Sequence, residues 1–132
     1  MTPPLVGFRG GGDPAIPKAG TFNVLGAGAH AAHAIHVARE LPERVLALVL
    51  ESPTGLAADD LRGLATPHLV VLGTRDDIAA PALGPRGHLV YVYDAGRSVA
   101  ADRPGAFTEV VTDFLERRDA FVISRAQTVI HP

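Results

Sequence analysis

Apolar residues along this chain gather in short solid runs rather than alternating with polar ones. Val45-Leu46-Ala47-Leu48-Val49-Leu50 is apolar throughout, and His68-Leu69-Val70-Val71-Leu72 and Leu89-Val90-Tyr91-Val92-Tyr93 repeat the pattern. Such runs mark strands buried on both faces, as in a parallel sheet covered by helices. Thr21-Phe22-Asn23-Val24-Leu25 is a fourth strand, closing on Gly26-Ala27-Gly28. Elsewhere the period lengthens. Ala29 to Leu41 reads as an Ala-rich helix stopped by Pro42. Between Asp102 and Arg118, Phe107, Val110, Val111, Phe114 and Leu115 recur at helical spacing, with Pro104 in the first turn and Arg117-Arg118 in the last.

Strands alternating with helices imply βαβ units with right-handed crossovers. In such sheets the chemistry lies beyond the carboxyl ends of the strands. That directs attention to Gly26–His30, Glu51–Gly55, Gly73–Ile78 and Asp94–Ala101. The ends of the chain are less regular. Residues 1–20 form an irregular segment in which Leu5-Val6-Gly7-Phe8 is a candidate short strand. Arg9 to Gly20, broken by Gly10-Gly11-Gly12, Pro14 and Pro17, looks too irregular for the helical crossover that parallel strands usually need. Residues 21–118 form the core. Residues 119–132 are a β-prone tail whose apolar positions, Phe121, Val122, Ile123, Val129 and Ile130, are expected to pack on this chain or a neighbour.

With 132 residues and 47% hydrophobic composition, one packed domain is expected. Twelve basic and fourteen acidic residues give a net charge of −2, which argues against nucleic acid or an anionic membrane as partner. There is no cysteine, so disulfides, thiolate metal sites and cysteine nucleophiles are excluded. No apolar run approaches a membrane span, and Met-Thr-Pro-Pro does not open a leader. The expected location is cytoplasmic.

The strand ends carry a resemblance. Phe22-Asn23-Val24-Leu25-Gly26-Ala27-Gly28-Ala29-His30, followed by Leu41-Pro42-Glu43-Arg44-Val45 and Leu48-Val49-Leu50-Glu51-Ser52-Pro53, resembles the strand, nucleophile elbow (G-x-S-x-G), helix and next strand of the α/β-hydrolase family. Thr66 to Ile78 is similar to the family's acid-bearing strand end, and Tyr91 to Arg97 to its histidine loop. The resemblance runs from about Thr21 to Arg118 and implies a reduced three-layer α/β domain with a mainly parallel sheet of about four to five strands. It also implies a truncated form, because only twenty residues precede Thr21 and Ser52 to Thr66 leaves no room for a lid. Arg9-Gly10-Gly11-Gly12 faintly resembles the family's oxyanion loop.

The same comparison strips the chemistry. Gly28 stands at the nucleophile position, His30 replaces the second elbow glycine, and Arg97 stands at the base position. Only the acid position is matched, by Asp76, with Asp77 beside it. A serine hydrolase needs an activated oxygen nucleophile and an imidazole. Glycine supplies neither, and a guanidinium with a pKa above ~12 accepts no proton near neutral pH. Asp76 is therefore expected to cap a turn or pair with an arginine such as Arg97.

Other candidates carry less. Gly28, Ala29 and His30, at a strand-to-helix turn, offer backbone N–H groups to a small anionic or ester-like ligand. The glycine spacing is not a dinucleotide fingerprint, and Glu51 about twenty residues on is one coincidence. His30, His33 and His36 recur every third residue, whereas the helical zinc signature uses i and i+4, so no metal or cofactor is expected. Ser52 and Ser98 lack an elbow and a histidine partner, and His88 precedes its strand at the wrong edge of the sheet. The resulting expectation is a pseudoenzyme: a non-catalytic binding or assembly module with a degenerate site. The alternative is a weak or unconventional carboxylic-ester hydrolase, using unconventional residues or completed by another subunit. Because the chain flanking Thr21–Leu25 is short, that strand is expected to leave an open edge and drive formation of a homodimer.

Overall fold

The candidate strand Leu5–Phe8 forms, at one edge of the sheet. The computed structural model describes residues 3–12, 14–121 and 129–131. In it β1 (Leu5–Phe8) lies parallel to β2 (Phe22–Ala27), with Leu5 opposite Asn23 and Phe8 opposite Gly26. The Arg9–Gly20 connection has no helix, in keeping with its irregular sequence, yet it makes the parallel crossover that such a connection was expected not to make. It is tied down instead: Ile16 packs on the core, and the Arg44 guanidinium donates to the Gly20 carbonyl at 2.9 Å and to that of Pro17. A crossover needs cover and length, and side-chain anchors supply what a helix would. The edge of β2 that was to drive dimerisation is thus paired, and the outer position passes to β1.

Four more strands follow in chain order: β3 (Val45–Glu51), β4 (His68–Gly73), β5 (Gly87–Val92) and β6 (Val129–His131). All pairings are parallel, and the sheet order is β1-β2-β3-β4-β5-β6. Six strands extend the expected core at both edges. Val122 and Ile123 lie outside the described residues.

The solid apolar runs resolve into two faces. Phe22, Val24, Leu48, Leu50, Val70 and Leu72 point to one side, where α1 (Ala31–Glu40) covers them with Ala31, Ala34, Ile35 and Ala38. Leu25, Ala47, Val49, Leu69, Val71 and Val90 point to the other, beneath α2 (Val99–Asp102) and α3 (Pro104–Arg117). This is a three-layer α/β architecture with helices on both faces of a parallel sheet. Phe121 reaches back to the second core, edge-to-face with Phe114 at 5.6 Å between ring centres, and His88 completes the trio. Among the described residues no helix is long and apolar enough to cross a membrane.

Candidate functional site

At the carboxyl end of β2 the chain turns sharply from strand to helix. Gly26 lies so close to α1 that a β-carbon there would stand 2.6 Å from that of Ala34 and 2.9 Å from the Ala31 α-carbon. Only glycine lets the helix approach so near. Two residues on, Gly28 has φ +57°, a left-handed value, and a β-carbon there would meet nothing within 4 Å. The Gly28–His30 turn then leads into α1. A side chain at Gly28 would project into an open cleft of about 340 Å³, which Ala29 and His30 also line. The backbone N–H groups that open such a turn lack intrahelical acceptors. His30 lies against the glycine run after β1, its Nε2 at 3.2 Å from where a Gly10 β-carbon would stand. This brings the Arg9–Gly12 loop beside the elbow.

The opposite wall comes from the end of β3. Glu51 is only 2% exposed. Its Oε1 accepts a hydrogen bond from Arg9 Nη1 at 2.7 Å, and its Oε2 accepts the Ala100 N–H at 2.8 Å. Ser52, buried with φ +46°, donates its hydroxyl to the Arg97 carbonyl at 2.6 Å. The Thr54 N–H donates to the Gly28 carbonyl at 3.1 Å. One short segment therefore ties together the elbow, the loop after β1, the loop after β5 and the start of α2. Arg97 extends its guanidinium away to Asp76 and Asp77, each at 3.4 Å. Asp76 also caps its own turn, accepting the Ile78 N–H at 3.3 Å, while its buried Oδ2 has no hydrogen-bond partner among the described residues.

No family model matches this sequence, and no curated protein does. Solved structures do. A predicted CIB-like hydrolase of Thermoplasma acidophilum superposes with a TM-score of 0.64 at 20% identity, over 72% of this chain and 50% of its own. An α/β hydrolase from the sediment metagenome of the Mar Chica lagoon, Morocco, gives 0.65 at 20%, over 75% and 63%. The naproxen esterase of Bacillus subtilis gives 0.69 at 13%, over 86% and 83%. The chain has the α/β-hydrolase fold. It spans between half and two thirds of the length of the first two of these structures.

The three positions singled out in the sequence fall at strand ends. Gly28 sits in the strand-to-helix turn and lines the cleft, as does Arg97, whose guanidinium pairs with Asp76. Ser52 and Ser98 both line the cleft. His33 instead packs its ring 4.4 Å from that of Phe8. Among the described residues no group of three or more histidines and carboxylates is placed to hold a metal ion. Two further cleft residues, Glu51 and Arg9, are joined by the structure though far apart in the chain. Glu51 had a signal, a lone carboxylate closing a fully apolar strand, and so had Arg9, a cation ahead of three glycines.

Proposed function

We propose that this chain is a non-catalytic module of the α/β-hydrolase fold, whose degenerate cleft binds a small carboxyl-bearing ligand. One observation carries the reading. Gly28 keeps the left-handed turn of a nucleophile elbow, with open space where a nucleophile would stand, yet it brings no reactive atom. The cleft is left with shape, oriented N–H groups and two arginines, which suffice for recognition. The hydroxyl of Ser52 is engaged by the Arg97 carbonyl, and Arg97 offers no proton acceptor to activate it. Self-association and a cytoplasmic location belong to the same proposal, the former now through β1, an edge strand on which Leu5 is exposed.

A fluorophosphonate probe tests the central point. The purified chain is expected to stay unlabelled beside an active serine esterase treated in parallel. Stoichiometric labelling at Ser52 or Ser98 would overturn the reading in favour of ester hydrolysis by an unconventional nucleophile. Light scattering at micromolar concentration reads the assembly state, and a 13.8 kDa species would end the dimer proposal.

A further inference from the structure

We propose that Glu51 is a positioning residue: it presents the guanidinium of Arg9 to a ligand carboxylate, so that the cleft selects free carboxylic acids over their esters. The inference rests on the cleft-binding reading above and names the ligand class within it. A carboxylate as buried as Glu51 must be compensated. Its two oxygens are used differently. Oε2 holds the Ala100 N–H, which leaves Oε1 alone for Arg9. Arg9 is therefore gripped at a single corner, through Nη1, rather than by the two-point clasp that arginine and carboxylate usually form.

A guanidinium carries five N–H donors in a fixed plane, so most of its hydrogen-bonding capacity remains. The side chain is 45% exposed and lines the cleft. It also lies over the Phe107 ring, whose centre is 5.8 Å from the guanidinium carbon. Arg97, the other arginine of the cleft, is turned toward Asp76 and Asp77. Arg9 is thus the cation directed to a ligand. Its open donor pair matches two carboxylate oxygens at once, whereas an ester offers one carbonyl oxygen and no charge.

The test is an NMR titration of the labelled full chain with phenylacetate and with methyl phenylacetate. Both are expected to shift the Ala29 and His30 amide signals, with the acid binding about tenfold more tightly than the ester. Arg9→Lys keeps the charge but loses the fork, and is expected to reduce that preference severalfold without abolishing it. Glu51→Gln removes a negative charge close to the ligand. If that charge merely opposed the acid, the acid would bind more tightly to the variant. A positioning role predicts weaker acid binding instead, and the opposite result overturns the inference. If Glu51→Gln does not fold, the exposed Arg9→Lys decides alone. Equal affinity for acid and ester in the unmodified chain, with the elbow signals moving, defeats the inference and leaves the cleft reading standing. Binding of neither compound defeats both.

Discussion

Gly26 and Gly28 stand two residues apart, yet the structure gives them different reasons to be glycine. The difference is measurable. In Gly26→Ala the new β-carbon falls 2.6 Å from the Ala34 β-carbon and 2.9 Å from the Ala31 backbone. Ordinary contact begins at ~3.5 Å, so α1 must back off by close to an ångström along a face that buries Ala31, Ala34, Ile35 and Ala38. Overpacking of this kind costs about 2 kcal/mol. For a chain of this length that lowers the melting temperature by about 7 °C. In Gly28→Ala nothing lies within 4 Å, and the only penalty is a left-handed φ of +57°. That costs about 1 kcal/mol, or about 4 °C. Thermal unfolding followed by circular dichroism compares the two variants directly. If Gly28→Ala proved the more damaging, or Gly26→Ala left the melting point within about 2 °C, the tight helix-to-strand approach would be refuted.

Three further outcomes are expected. Gly28→Ser with Arg97→His places a hydroxyl in the cleft and an imidazole beside Asp76, and should produce slow fluorophosphonate labelling that adding Asp76→Asn removes; labelling indifferent to Asp76 would separate the acid position from the site. His68 is fully buried between the Thr66 carbonyl, to which Nδ1 donates, and the Gly84 N–H, which Nε2 accepts. Burial therefore holds its pKa below the ordinary imidazole value, with His88 and Arg86 adding to the effect and the Thr66 carbonyl opposing it. This contribution to stability is complete above the unfolded-state pKa of about 6.5 and is lost as pH falls below it toward the folded-state value, so urea midpoints should drop between about pH 7.5 and 5.5, and less so in His68→Gln. Truncation after Arg118 removes Phe121 from its edge-to-face contact with the fully buried Phe114 and should lower the melting temperature; an unchanged melting temperature and particle size would mean that the tail stabilises nothing.

The strands of the core were readable because burial on both faces leaves a continuous apolar signature, as at Val45–Leu50. The long helix was readable from the spacing of Phe107, Val110, Val111 and Phe114, which are all buried in α3. The elbow was legible through local backbone demands at Gly26 and Gly28. The partners of Glu51 were not. They lie 42 and 49 residues away, and no local pattern encodes which cation or amide a lone carboxylate will find. The parallel pairing of β1 was missed for a related reason. What secures the crossover is Arg44, a residue beyond the next helix, and its reach to Pro17 and Gly20 exists only once β2 and β3 are side by side.

The strict correspondence between chain order and sheet order has a consequence for synthesis. A ribosome releases β1 first and β6 last, and each strand pairs with the one released just before it. No strand has to wait for a later one to slip between it and its neighbour. The sheet can therefore lengthen by accretion as the chain emerges, growing only at the margin of the newest strand while β1 stays at the other edge. The two helical layers differ in timing: α1 emerges before β3 and β4, whose side chains complete its contacts, whereas α2 and α3 follow β5 and close the other face over strands already released.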